Sequence, residues 1–200
     1  MKHIVIYSLL GCVAIQVTLW GTEKQDTLSP EETLRLRLDA AVAVLRDDRL
    51  DLETKSEKIT ELITPLFDFP LMGKLALGRE HWQSLSAEQR TDFTALFTVH
   101  LKNAYRKKLM LYTDEQIVYK SVLNRSATRA EVLTELVSEE NQIDVSYKLR
   151  KIEGKWKVYD VTVQGVSLRK SYEAQFHEIL SKGTPADLLA ALRNQEEETE

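Results

Sequence analysis

Cysteine is nearly absent from the chain: its 200 residues include one, Cys12, alongside four prolines, seven glycines and four histidines. One cysteine leaves no internal disulfide and no multi-thiolate metal site. The low glycine and proline counts exclude collagen-like and low-complexity chains. Long apolar runs are scarce as well. Only residues 4 to 20 are free of charge over such a stretch, too little for a polytopic membrane protein. Nucleotide-binding signatures are missing: Met72-Gly73-Lys74-Leu75 has neither the upstream glycine nor the following hydroxyl of a P-loop. Gly165-Val166-Ser167-Leu168-Arg169 lacks the second glycine of a nucleophile elbow. The histidines, at 3, 81, 100 and 177, show no helical metal-pair spacing. The sequence therefore predicts a chain with no catalytic residues, cofactor or metal.

What is present begins with a leader. Lys2 precedes the apolar run Ile4 to Trp20, and polar Thr22-Glu23-Lys24 follows. This pattern reads as a secretory signal peptide over residues 1–21 or as an uncleaved anchor, and both place the body outside the cytoplasm. Leu9-Leu10-Gly11-Cys12 also resembles a lipoprotein box. The whole chain has 27 basic and 31 acidic side chains. Glu196, Glu197, Glu198 and Glu200 crowd into an acidic tail over residues 196–200, so the folded body is close to neutral. A near-neutral body predicts no nucleic-acid partner, because phosphate binding needs a clustered basic surplus.

Residues 22–195 read as one domain of α+β class. Ser29-Pro30-Glu31-Glu32 and Ser86-Ala87-Glu88-Gln89 are capping boxes, each followed by apolar residues at helical spacing. Helices are expected from Ser29, from Leu52 to Leu66, from Leu71 to Leu77 with a stop at Gly78, and from Ser86 to about Leu111. The period then changes from 3.6 to 2. Ile117–Val122, Ala130–Val137, Ile143–Leu149 and Trp156–Val163 predict about four antiparallel strands in a curved sheet. A helix from Arg169 to Ser181 and a short one behind Thr184-Pro185 complete the chain. The helices are expected to pack over one face of the sheet. Asp160 stands out as an acid inside the most apolar strand, where it must be paired or hydrogen-bonded, as a structural anchor or as a general acid/base.

The run Trp156-Lys157-Val158-Tyr159-Asp160-Val161-Thr162-Val163-Gln164-Gly165-Val166-Ser167-Leu168, followed by Tyr172 and Phe176, resembles the MlaC family of periplasmic phospholipid-binding proteins, also called toluene-tolerance auxiliary proteins. Phe67-Asp68-Phe69-Pro70, Ala76-Leu77-Gly78, Trp82, Gln89, Phe93, Phe97, Leu101 and Tyr105 form a second matching block, and Val145 to Leu149 a third. One triplet departs: Ser171-Tyr172-Glu173 stands where the family usually has Asn-Tyr-Arg.

The resemblance implies a monomeric periplasmic carrier that shuttles phospholipid between outer and inner membranes and so maintains outer-membrane lipid asymmetry. Its implied partners are phospholipid, an inner-membrane Mla-type ABC transporter complex, for which it would be the auxiliary component, and an outer-membrane lipoprotein. The implied lipid-binding residues are Phe97, Leu101, Tyr105, Val145, Tyr147, Leu149, Val158, Val161, Val163, Tyr172 and Phe176, with the sheet's apolar face opposing the aromatic helices. Lys102, Arg106, Lys107 and Lys108 on the long helix, or Lys148, Arg150, Lys155 and Lys157 on the hairpin's polar face, could meet phosphate headgroups or an acidic docking surface, or form a solvated face. Two other readings stand beside the carrier: a cone-shaped α+β enzyme acting on a small apolar substrate with Asp160 as base, and a docking adaptor with a filled core.

Overall fold

The structure, a computed structural model, describes residues 28–109, 116–139 and 141–197. The leader with Cys12 and the last three residues of the acidic tail lie outside them. Helices α1 (Pro30–Leu45), α2 (Leu52–Ile63), α3 (Phe69–Ser84) and α4 (Ala87–Leu109) precede strands β1 (Gln116–Ser126), β2 (Arg129–Val137), β3 (Gln142–Ile152), β4 (Lys155–Val163) and β5 (Val166–Ser167). Helices α5 (Leu168–Lys182) and α6 (Pro185–Glu197) close the order. None of the described helices is long and apolar enough to cross a membrane.

Both capping boxes form. Ser29 Oγ accepts from the Glu32 amide while Glu32 accepts from the Ser29 amide, and Ser86 and Gln89 repeat the exchange. The helix expected to end at Leu66 ends at Ile63, and a 3-10 turn over Thr64–Leu66 carries Pro65. Gly78 ends the first helical segment of α3, as expected, and a second segment follows directly across a kink. The glycine adopts φ 73° and ψ 166°, and the chain resumes helical geometry to Ser84. Such a backbone conformation is open almost solely to glycine.

The sheet is antiparallel in the order β1-β2-β3-β4-β5, so the strands form a meander. The fifth strand, two residues long, was not expected from the sequence; Val166 and Ser167 pair with Val163 and Thr162. Farther back along β4's outer edge a single parallel bridge joins Phe67 to Val158, with the Asp68 amide donating to the Val158 carbonyl at 2.8 Å. These contacts interrupt the free edge and tie the helical half to the sheet.

Two apolar clusters result. One lies on the sheet under α1: Leu34, Leu66, Ala130, Val132, Val145, Tyr147, Leu149, Trp156, Val158 and Val161. The other lies among helices α3 to α6 and includes Leu77, Phe93, Phe97, Leu101, Phe176 and Leu188. Phe67 packs against both, and its ring stacks on Phe69 at 5.6 Å.

Candidate functional site

The sheet's apolar face is built by strict alternation. On β3, Val145, Tyr147 and Leu149 point one way while Ser146, Lys148 and Arg150 point the other. Register carries the apolar set across the strands, pairing Val132 with Tyr147 and Ala130 with Leu149. On β4 the alternation is interrupted. Leu149 pairs with Val158 but Lys148 pairs with Asp160, so Tyr159 is an extra residue in a bulge. Without the bulge Asp160 would share Val158's face and Val161 would leave it. With it, Val158 and Val161 join Tyr147 and Leu149, and Asp160 turns to the opposite face.

Asp160 is 2% exposed there. The Ser167 hydroxyl donates to its carboxylate at 2.9 and 3.0 Å, the Arg169 amide at 3.3 Å and Lys148 Nζ at 3.3 Å. Ser167 is also the N-cap of α5, accepting from the Lys170 amide. The buried acid thus anchors the junction of β4, β5 and α5. Asp68 does comparable work at the other end of β4: it caps α3 by accepting from the Leu71 amide and pairs with Arg150.

Most of the hairpin's basic side chains are committed to such contacts. Lys148 and Arg150 pair with the two buried acids, and Lys157 donates to the Pro65 carbonyl. On the same polar face, Lys120 pairs with Glu135 and Arg125 with Glu131 at 2.8 Å, so cation–carboxylate pairs line it. The Arg125 bond holds Glu131 below the usual carboxylate range.

The apolar face is kept uncharged. Thr134, 2% exposed, donates its hydroxyl to the Val145 carbonyl at 3.0 Å. Burial, offset in part by a hydrogen bond with Thr134, pushes the Tyr147 phenol up to about 12. Cover over the face is uneven. Ala130, Val132, Leu149 and Val158 are fully buried, with Leu34 and Leu66 from the α1 side in the same cluster. Toward the opposite end the row Ile117, Leu136 and Ile143 is half-buried and Val163 is 37% exposed. At β1, Tyr119 donates to Asp39 at 2.9 Å and lies under the Arg35 guanidinium at 3.9 Å, which seats α1 on the sheet.

The residues expected to line one cavity divide between the clusters. Val145, Tyr147, Leu149, Val158 and Val161 share the sheet face, with Val163 at its open end. Phe97, Leu101, Tyr172 and Phe176 belong to the helical cluster, where Phe97 meets Tyr172 at 5.1 Å and Phe176 at 5.5 Å, both edge-on. The Tyr105 side chain lies outside the described residues. Leu34, Leu66, Ala130, Val132 and Trp156, outside the expected lining, are buried in the same cluster as the sheet face. For Ala130 and Val132 the signal was available in the alternation along β2. Glu173, at the position of the usual family arginine, pairs one helical turn back with Arg169 at 2.7 Å.

His100, from α4, lies 3.1 Å from the Tyr172 hydroxyl beside a cavity of about 20 Å³ also lined by Gln175 and Phe176. The space suffices for one water molecule. Burial holds the His100 imidazole below its ordinary pKa.

Against known proteins, the chain is similar to the toluene tolerance protein ttg2D of Pseudomonas putida, with 23% identity over 127 residues, 63% of this chain. That match spans 59% of the relative's length. Its fold is similar to that of a phospholipid-binding protein from Ralstonia solanacearum solved in complex with a phospholipid, with a TM-score of 0.73 and 24% identity over 84% of this chain and 96% of that one. The family model for MlaC protein matches residues 37–194, nearly all of the described fold. By that match, and by the blocks at Phe67–Pro70 and Trp156–Leu168 that join sheet to helices, the chain belongs to the MlaC family.

Proposed function

We propose that the protein is a non-enzymatic phospholipid-binding carrier that works in the periplasm, delivered there by residues 1–21, and shuttles lipid between outer and inner membranes to maintain lipid asymmetry. The observation that carries this reading is the sheet face itself: a continuous apolar surface, closed at Ala130, Leu149 and Val158 and open at Ile143 and Val163. Acyl chains would lie along it between sheet and α1, with the headgroup toward the open end. The helical group of Phe97, Leu101, Tyr172 and Phe176 would form the packed wall that supports the sheet from the far side of Phe67. Family membership and the phospholipid in the Ralstonia relative support the same substrate class.

Burying an acyl chain gains about 0.8 kcal/mol per methylene relative to water. A chain leaving a bilayer gains almost none of this on entering a protein, because it was already buried. A carrier therefore has only to match the membrane and to keep water from the tails in transit. Direction would come from the partners that donate and accept lipid, an inner-membrane Mla-type transporter and an outer-membrane lipoprotein. No fuel-binding motif is needed for that role. The engagement of both Asp160 oxygens in the α5 junction favours the anchor over a catalytic base.

Native mass spectrometry of protein purified from a membrane-containing host tests the proposal. Phospholipid should co-purify and exchange with vesicles. Lipid-free protein that takes up nothing from vesicles would overturn it.

A further inference from the structure

A second polar constellation lies away from the sheet face. The kink at Gly78 turns the last part of α3 so that His81 faces His177 of α5, 96 residues later in the chain. His81 Nε2 and His177 Nδ1 lie 3.1 Å apart, and the rings are tilted by 48° with centroids 5.4 Å apart. The pair borders an open groove of about 540 Å³ lined also by Arg79, Glu80, Lys170 and Glu173. His177 is exposed and His81 half-buried.

We propose that His81 and His177 form a two-histidine clip for a borderline divalent metal ion such as Zn²⁺ or Ni²⁺, tying α3 to α5. Two imidazole–zinc bonds of about 2.05 Å at a tetrahedral angle hold their nitrogens roughly 3.4 Å apart, and near 3.1 Å when the angle closes toward 100°. The observed 3.1 Å hydrogen bond already holds the two nitrogens within that bite, so the backbones need not move to admit an ion. As the structure stands the two nitrogens make a hydrogen bond in which one ring donates N–H and the other offers its lone pair. For a metal ion to bind, the donating ring would move its proton to its other nitrogen, by exchange with water, and both rings would rotate so that their lone pairs converge on the ion, movement for which the groove leaves room. Imidazole donors favour zinc, nickel and copper over magnesium or calcium.

Among the described residues no group of three metal-ligating side chains converges, so water would complete the coordination sphere. Charge in the groove is balanced: Arg79 and Lys170 offset Glu80 and Glu173, and Glu173 is already paired with Arg169. Selectivity would therefore rest on the imidazoles. Helices α3 and α5 supply fixed backbones for both ligands, while the kink gives the second half of α3 its orientation. A bridging ion would stabilise that arrangement, because it binds the folded chain and finds no preformed pair in the unfolded one.

The test is a zinc titration of the full chain, free of any affinity tag, with magnesium as the hard-ion control. One zinc should bind per chain, the unfolding temperature should rise with zinc and not with magnesium, and imidazole nitrogen resonances of His81 and His177 should both move. Loss of an outer-shell partner alone weakens metal sites roughly 10–100-fold, so His81→Gln and His177→Gln should each weaken zinc at least about tenfold. His100→Gln should bind as the parent does. The resonances decide the matter in the parent protein even if a variant misfolds. Zinc that leaves both resonances unmoved, affinity unchanged in both variants, or no zinc binding at all would overturn the proposal.

Discussion

The Ser167 hydroxyl donates to the Asp160 carboxylate while accepting from the Lys170 amide, so one side chain ends the sheet, starts α5 and satisfies a buried charge. Ser167→Ala removes an N-cap, worth about 1 kcal/mol, and leaves a buried carboxylate short of a donor at roughly 1–3 kcal/mol more. A total loss of roughly 2–4 kcal/mol in urea unfolding is expected. Asp160→Asn, which keeps an acceptor for Ser167, should cost less and leave vesicle lipid uptake intact. Uptake abolished in folded Asp160→Asn would contradict the anchor role.

Val163 tests the open end of the sheet face. It is partly exposed, so Val163→Asp should change stability by less than about 1 kcal/mol. A carboxylate there would nonetheless have to be desolvated by any acyl chain lying over it. Co-purified phospholipid should fall several-fold by native mass spectrometry, while Val118→Asp, on the opposite face of β1, should keep it.

Gly78 should tolerate no side chain in its observed conformation. A Cβ there would meet only Glu173 Oε1 at 3.6 Å, an ordinary contact. The cost of Gly78→Ala therefore comes from the backbone, roughly 1–3 kcal/mol. Chemical unfolding measures it, and an unchanged midpoint would mean that α3 runs unkinked.

Gly73 should resist enlargement for the opposite reason. Its backbone is helical, but a Cβ would sit 3.2 Å from both Phe93 Cε1 and Phe97 Cδ1, whose rings stack at 5.6 Å. Gly73→Ala gains about 1 kcal/mol of helix propensity and meets overpacking of about 1–3 kcal/mol. A net destabilisation of about 1 kcal/mol is expected in the same measurement.

Stability should fall as pH drops below about 6.5, in part because of His100. Its imidazole is held below the ordinary value by burial, so over that window the unfolded chain binds more protons than the folded one. Folding stability must then decline as pH falls from the unfolded value toward the folded one. Tyr172 is its hydrogen-bond neighbour and Gln175 lines the same small cavity, so no charged partner among these offsets the effect. The carboxylates that hydrogen bonds hold below their usual range, Asp47 at about 2 together with Glu32, Asp51, Glu131, Glu135, Glu178 and Asp187, act in a more acidic range. His100→Gln should flatten the stability profile between pH 7.5 and 5.5 without moving the acid limb below.

Local chemistry explains which parts of the molecule were legible from residues alone. The capping boxes at Ser29 and Ser86, the prolines at Pro30 and Pro185, and the change of period after residue 116 act over three or four residues, and each appears in the structure where the residues place it. The α+β class, the antiparallel order and the buried acid at Asp160 followed from such signals. Long-range choices did not. Gly78 marked the end of a helical segment, but that a second segment resumes beyond it to pack against α5 was not legible. The Tyr159 bulge decides which face receives Asp160, and nothing within β4 distinguishes a bulge from plain alternation; the register with β3 does. Alternation along β3 identified an apolar face, but amphipathic pattern cannot say what covers it. That face met Leu34 and Leu66, while Phe97 and Phe176 packed among the helices instead. His81 and His177 became neighbours only through the kink, since a separation of 96 residues leaves no periodic trace. Sequence determined the elements because their signals are short-range, and tertiary structure decided their partners because burial is shared between residues far apart in the chain.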